Sequence, residues 1–270
     1  MKPFLSQKAF PATDDASVLS AWLREQTSVF PNNRFYALLD GAQIEGLPFK
    51  VKSMAPEAHG ALFGVLGKTS LEKVGGWLLE INDEDPRGWD WTCREALHQP
   101  AVLWLQSPLC LADLLGLLAP RMNAKLTRGP EVYLRYYDPR IFTNLVSILV
   151  PAQAPFLAMA PRWLWLDHAC QRCVLETPLD LKAARAFEPP LVIDSEQEKA
   201  LLDGSLPYEV MAILNAEAPE VLEAIPKNSQ YGLLNQGVNR AQAQGAHRLS
   251  DLVGVCLELL NRANEDAHAR

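Results

Sequence analysis

Asp40, Asp138 and His168 are the side chains of this sequence whose types could support hydrolytic or metal-dependent chemistry. Carboxylates and an imidazole act as general acids and bases, or hold a metal ion that activates water. Each aspartate follows a short apolar run, where functional residues of α/β sheets often lie, but a turn and a helix cap explain both positions without chemistry. No G-x-S-x-G or H-E-x-x-H motif positions any of the three. An uncharacterised cytoplasmic hydrolase or metal-dependent enzyme is therefore the alternative interpretation, and the favoured one assigns no catalytic residue.

The histidine also belongs to a cluster with metal-ligand spacing, His168-x-Cys170-x-x-Cys173. These side chains could bind zinc, but a structural zinc site normally takes a fourth ligand from a second pair of close cysteines. The remaining cysteines form no such pair: Cys93, Cys110 and Cys256. Packed free thiols are favoured, no metal ion is expected, and whether Cys170 and Cys173 have any role stays open.

Residues 64–70 end in Gly-Lys-Thr, like the loops that bind nucleotide phosphates. The full pattern needs a glycine five residues before Gly67, and Leu62 occupies that position, so no backbone cradle is specified. An ordinary glycine-rich hairpin or turn is favoured, and no cofactor is expected.

A string of charged and aromatic residues, RYYDPR, begins at Arg135. If residues 132–137 form a strand, the alternation of side chains places Arg135 and Tyr137 on the face opposite Tyr136. A buried arginine needs a carboxylate partner, and Asp40, at the end of another predicted strand, is the expected one. The sequence therefore predicts an ion pair that joins two strand ends.

Acidic residues mark the expected starts of two helices. Asp14 and Asp15 precede an apolar pattern with helical spacing, so the first helix is expected to begin at an acidic cap. Asp138 can accept the unpaired N–H bonds of a second helix start, and Pro139 fits its first position because its missing donor has no partner there.

Short apolar runs alternate with helical patterns along the first two thirds of the chain. The runs are candidate strands of one sheet, at residues 35–39, 61–66, 76–81, 102–105 and 132–137. Helical spacing is found at residues 109–118 and after Asp138. The alternation predicts an α/β fold, with an N-terminal lobe in which a mixed β-sheet is flanked by helices. Three aromatic residues next to Pro155 and Pro161 could form either core or an exposed anchor patch, and the core is favoured: Phe156, Trp163 and Trp165.

The pattern changes towards the C-terminus, where Pro189-Pro190 interrupts the chain and strand-like runs vanish apart from residues 191–193. We predict an α/β lobe over residues 1–185 and a smaller, all-helical C-terminal lobe over residues 186–270. Ser195 and Glu198 have the spacing of a capping box. Further helical patterns cover residues 208–214, 220–225 and 249–260.

The start of the C-terminal lobe is strongly acidic. Between Phe187 and Pro226 nine acidic residues face one basic residue, a net charge of −8, whereas the whole chain carries −7. Solvated helix faces explain such a segment, but it is also the best electrostatic candidate for receiving a basic partner. Glu217, Glu220 and Glu223 are its candidate contact residues.

Composition limits the classes of function. The chain has 270 residues, of which 49% are hydrophobic and 21% charged, as in a folded globular protein. Its negative charge disfavours nucleic acid as a partner, and no uncharged apolar run is long enough for a membrane helix. The N-terminus lacks a signal-peptide pattern, and five scattered cysteines suit a reducing cytoplasm.

Three segments together resemble a family of type VI secretion effector chaperones, also called adaptors, which is classified as a domain of unknown function. They are residues 36–42, residues 76–79 and, most specifically, the RYYDPR string; they occur in the family's order and approximate spacing. The resemblance is good over residues 34–166. Tyr231-Gly232 and the final helical pattern are similar to the family's more divergent C-terminal part.

The resemblance implies a binding role without catalysis. Such a protein binds a toxic effector in the cytoplasm of the producing bacterium and helps to load it onto the VgrG spike, so the implied partners are the cognate effector and the spike. The residues that match the motifs are expected to be structural: Asp40, Arg135, Tyr137, Asp138 and Arg140. Cys170 and Cys173 are outside the family pattern.

Overall fold

A computed structural model describes residues 6–55, 57–82, 85–246 and 248–268. Within these ranges the strands are β1 (Ser6–Ala12), β2 (Arg34–Asp40), β3 (His59–Ala61), β4 (Gly76–Ile81), β5 (Val102–Ser107), β6 (Asn123–Leu126), β7 (Glu131–Tyr133), β8 (Arg162–Leu166), β9 (Gln171–Glu176) and β10 (Leu191–Ile193). The α-helices are α1 (Ala16–Thr27), α2 (Leu47–Met54), α3 (Leu62–Val65), α4 (Pro86–His98), α5 (Leu111–Leu118), α6 (Pro139–Ile148), α7 (Leu181–Ala186), α8 (Ser195–Glu217), α9 (Pro219–Glu223), α10 (Lys227–Ala243) and α11 (Leu249–His268).

Within the described residues the strands form two sheets. Seven strands make an antiparallel sheet in the order β1-β9-β8-β5-β2-β4-β3. The small sheet has the order β10-β6-β7, and its β10–β6 pair is parallel. The predicted fold class is confirmed: the protein is mixed α/β, with a sheet flanked by helices and a helical C-terminal region.

Helices cover both faces of the large sheet. On β2, Tyr36 and Leu38 point into a core that includes α5 and α6, whereas Phe35, Ala37 and Leu39 point into a second core with α1, α2 and α4. A strand that is buried on both sides can be apolar at every position, which explains the unbroken runs in the sequence. The strands predicted at residues 35–39, 76–81 and 102–105 are confirmed, as is the burial of Phe156, Trp163 and Trp165.

The prediction of a strand over residues 132–137 is wrong. Strand β7 ends at Tyr133 and belongs to the small sheet, and the chain then turns into α6. The N–H of Asp138 donates to the carbonyl of Arg135 at 2.9 Å and closes this turn. Strand alternation therefore does not apply, and Tyr136 and Tyr137 lie in the same core with ring centroids 6.1 Å apart.

A second predicted strand, over residues 61–66, is mostly helical. Only His59–Ala61 forms a strand, and Leu62–Val65 forms the short helix α3. A brief apolar run has no periodicity that could distinguish a buried strand from a buried helical turn.

Two of the three predicted helix caps are confirmed. Asp15 accepts a hydrogen bond from the N–H of Ser17, and Asp138 accepts one from the N–H of Arg140. The third cap lies one residue earlier than predicted: Asp194, rather than Ser195, caps α8, and Gln197 instead of Glu198 completes the capping box. The carboxylate accepts from two backbone N–H groups at once, which a hydroxyl at the next position does not do here.

The last four helices surround a separate apolar core that includes Val210, Leu222, Leu234 and Cys256. The sequence patterns did not predict α10, whose apolar spacing is weak. The division at residue 185 remains a prediction; β10, which follows it, pairs with β6 of the preceding part.

Among the described helices, none combines the length and the apolar character that crossing a lipid bilayer requires. The expectation about a signal peptide concerns the N-terminus, of which residues 1–5 lie outside the described part of the chain.

Candidate functional site

The three segments that carry the resemblance meet at one end of the large sheet. Asp40, the last residue of β2, lies opposite Gly76, the first residue of β4. The ring of Tyr137 packs on Gly76, and a Cβ at that glycine would lie 2.7 Å from a ring atom. Residues that are distant in sequence thus form one junction because the strand ends and the turn before α6 occupy the same place.

An ion pair lies at the centre of this junction. Arg135 Nη2 donates to Asp40 Oδ2 at 2.5 Å; the Asp40 side chain is fully buried and that of Arg135 is 35% exposed. The predicted partner is therefore confirmed, although Arg135 lies in a turn and not at a strand end. Burial raises the pKa of the Asp40 carboxyl, and the charge of Arg135 opposes that shift.

Asp138 combines three tasks at the start of α6. Besides capping the helix, it accepts three hydrogen bonds from the guanidinium of Arg140, two from Nε at 2.9 and 3.2 Å and one from Nη2 at 2.7 Å. It also lies 3.5 Å from Arg135 Nη2. The two aspartates and two arginines of the junction therefore neutralise one another, as expected for structural residues.

Arg140 extends the junction to the C-terminal helices. Its guanidinium lies over the ring of Tyr208 on α8, 5.4 Å from the ring centroid. The hydroxyl of Tyr208 is hydrogen-bonded to His168 Nδ1, with the donor set by the imidazole tautomer. His168 in turn stacks on Tyr231 of α10, with ring centroids 3.9 Å apart.

Sequence reasoning did not single out Tyr208 or assign Tyr231 a place in the site. Tyr208 was only one position in a helical pattern, and nothing local links it to Arg140 or His168. His168 comes close because the β8–β9 turn lies at the same end of the sheet as Asp40.

The candidate catalytic residues do not form a metal site. Among the residues that the structure describes, no group of three or more His, Cys, Asp or Glu side chains could hold a metal ion. Asp40 and Asp138 are engaged by arginines, and His168 by two tyrosines. Burial lowers the pKa of His168 to about 4, so its ring is neutral at pH 7.

The two cysteines of the cluster are free thiols at different depths. Cys170 lies in the β8–β9 turn with a positive φ of 56°, and Cys173 is buried on β9. Burial raises the pKa of Cys173 to about 12, which keeps it a thiol.

A groove of about 840 Å³ lies beside the junction, between the α/β part and the C-terminal helices. Its lining includes the polar side chains of Arg140 and His168 and the partly exposed rings of Tyr208 and Tyr231. We call these two rings the tyrosine floor. The last turn of α4 and the loop after it form one wall, and α8 with α9 forms the other.

The three candidate partner-binding glutamates are exposed near this groove. Glu223 lines it, whereas Glu217 and Glu220 lie at the end of α8 and the start of α9. None of them takes part in the ion pairs found among the described residues.

A second cavity, of about 870 Å³, lies at the opposite end of the strands. Its lining includes Arg34 and Glu80, which form an ion pair with each other at 2.9 Å. It contains none of the residues of the three motif segments that form the junction.

Comparison with known proteins finds one family model, and the segment that it matches includes the residues of the junction. Residues 35–155 match the model of a domain of unknown function, DUF4123. No curated protein and no solved structure matches the chain. The matched segment contains Asp40, Gly76 and the RYYDPR string, but it ends before His168, Tyr208 and Tyr231.

Proposed function

We propose that this protein is a cytoplasmic chaperone or adaptor that binds a type VI secretion effector and helps to load it onto the VgrG spike. The resemblance of the three motif segments supports this role. The match of residues 35–155 to a family without an assigned activity is compatible with it.

One structural observation carries the proposal: the motif junction borders an open groove between two packed parts of the molecule. The charged groups of the junction are paired with one another, which supports a role in holding the groove in shape rather than in chemistry on a substrate. Clefts between packed units are common binding sites, and a groove with partly exposed aromatic rings suits a protein partner.

The test is genetic and biochemical. Deleting the gene should lower the abundance and secretion of the effector encoded by a neighbouring large reading frame, and the full-length chain should restore both. Co-expression of the two proteins should yield a stable complex on affinity purification. Unchanged effector abundance and secretion after deletion would refute the role, as would metal-dependent turnover by the purified protein that Asp138→Asn abolishes.

A further inference from the structure

The groove beside the junction has the form of a receptor for a short segment. We propose that it docks a segment of the partner protein that places an apolar side chain on the tyrosine floor and lysine or arginine side chains against α8 and α9. This inference rests on the proposed adaptor role and specifies the part of the partner that is recognised.

The floor of the groove is held rigidly. Tyr208 is contacted by Arg140 on its ring and by His168 at its hydroxyl. Tyr231 is stacked on His168, and its hydroxyl donates to the carbonyl of Gly204 at 3.2 Å. Because these rings are already ordered, little side-chain entropy is lost when an apolar group packs on them.

The size of the groove fits a segment and not a domain. Its volume of about 840 Å³ is within the range of roughly 300–1,000 Å³ that is typical of sites for small ligands. A stable protein complex buries more surface than one groove provides, about 1,200 Å² or more in total. The groove would therefore hold an anchor within a larger interface.

The charged residues beside the groove determine which residues are favoured on either side of the apolar anchor in the docked segment. Glu223 lines the groove, and Glu217 and Glu220 are exposed at the end of α8 and the start of α9. Lys227 also lines the groove, whereas the charge of Arg140 is neutralised by Asp138. Asp167 accepts hydrogen bonds from the backbone N–H groups of Ala169 and Gln171. The three glutamates outnumber Lys227 where α8 ends and α9 begins, so the charge beside the groove is mainly negative and favours basic flanks.

Two exposed alanines of α8 allow a matched steric test. Ala212 lines the groove, and Ala200 is on the same helix but away from it. Ala212→Trp should fill the groove and weaken binding to the co-expressed neighbouring effector at least about tenfold, whereas Ala200→Trp should leave the dissociation constant within about twofold. Circular dichroism and the unfolding midpoint would show that both full-length variants are folded.

The outcomes separate the inference from the role on which it rests. Wild-type binding that Ala212→Trp leaves unchanged would overturn the groove as the docking site while the adaptor role stands. A dimer of the wild type that Ala212→Trp converts to monomers, with effector binding kept, would assign the groove to a second copy of this chain and overturn the inference.

A second experiment tests whether the groove binds such a segment even if the effector does not bind and the adaptor role fails. A library of random 12-residue peptides would be selected on the full-length wild type, with Ala212→Trp as the counter-selection. Enriched peptides that combine an apolar residue with lysine or arginine would support the inference. Failure to enrich any peptide, or enrichment of acidic ones, would overturn it.

Discussion

Arg135 and Asp40 form the ion pair on which the motif junction depends. The carboxylate is fully buried, so its charge is tolerated only with the arginine beside it. The neighbouring Arg140 is already paired with Asp138 and cannot replace that arginine. Loss of Arg135 therefore leaves the buried charge of Asp40 without compensation.

We expect Arg135→Ala to lower the free energy of unfolding by about 3–5 kcal/mol, since the Asp40 charge is left buried and unpaired. Urea denaturation followed by tryptophan fluorescence measures this change. Arg87→Ala is the control, because Arg87 pairs with Asp85 on the surface, with 69% of the arginine side chain exposed. That substitution should cost no more than about 1 kcal/mol. Equal effects of the two substitutions would show that burial of Asp40 does not make the loss of its partner more costly than the loss of a surface ion pair.

His168 should make stability depend on pH. Burial lowers its pKa to about 4 in the folded protein, whereas an unfolded chain has a histidine pKa of about 6.5. Between these values the unfolded state binds a proton that the folded state does not. The free energy of unfolding should therefore fall as the pH decreases from about 6.5 to about 4, by roughly 3 kcal/mol at most, and be independent of this residue above that window.

The measurement compares wild type with His168→Asn by urea denaturation at several pH values. Asparagine does not titrate but keeps a side-chain acceptor for the Tyr208 hydroxyl. The carboxylates of the protein titrate in both variants, so the difference between the two curves isolates the imidazole. Parallel curves from pH 7.5 to pH 4 would contradict the prediction.

Close approach between backbone segments sets the geometry where β2 ends. A Cβ at Gly41 would lie 2.7 Å from the carbonyl oxygen of Gly75 and 2.8 Å from that of Lys73. The N–H of Gly41 also donates to the carbonyl of Gly75 at 2.9 Å. Only glycine allows the chain to leave β2 this close to the start of β4, beside Asp40.

Gly41→Ala should destabilise the protein by about 1–3 kcal/mol, because the backbone carbonyls cannot move as a flexible side chain can. Gly116→Ala on α5 is the matched control: nothing lies within 4 Å of a Cβ at this position. There the same substitution should stabilise the protein by roughly 0.5–1 kcal/mol, since alanine favours a helix interior. Thermal unfolding of both variants would show shifts of opposite sign, and a stabilising Gly41→Ala would contradict the proposed crowding.

Helix α8 connects the α/β part to the C-terminal core. It contacts α6, and further along it contributes Val210 and Leu214 to the core of the last helices. The contacts of Tyr208 with Arg140 and His168 reinforce this connection. The acidic residues that follow on α8 and α9 are therefore held next to the groove.

Replacing Glu217, Glu220 and Glu223 by lysine should slow association with the effector about tenfold at low salt and leave dissociation nearly unchanged, because exposed rim charges guide encounter more than they hold the complex. The difference should shrink at physiological salt, where charges are screened beyond about 8 Å. Association and dissociation rates measured by surface plasmon resonance at two salt concentrations provide the test.

The control is a triple replacement of exposed glutamates in the α/β part, Glu25, Glu45 and Glu131. It changes the net charge by the same amount outside the lining of the groove and outside α8 and α9, so its effect on association should be clearly smaller. Equal slowing by both variants would mean that overall charge, and not the α8–α9 wall, steers the encounter.

Several features could be predicted because their causes are local. Buried strands such as β2 and β5 stand out as apolar runs, and Asp15 and Asp138 mark helix starts because a cap depends on the two or three residues that follow it. The pairing of Arg135 with Asp40 could also be predicted, because a carboxylate is a favoured partner for an arginine that is partly withdrawn from water and few candidates end a strand.

The rest depends on contacts between distant parts of the chain. Residues 134–137 look like a strand, but they form a turn because the chain must enter α6 beside the ends of β2 and β4. Tyr208 and Tyr231 join the site only because α8 and α10 pack against the β8–β9 turn, about 40 or more positions away from their partners in the chain. No local periodicity predicts these contacts. The free energy that favours them comes from burying side chains between elements that are distant in the sequence.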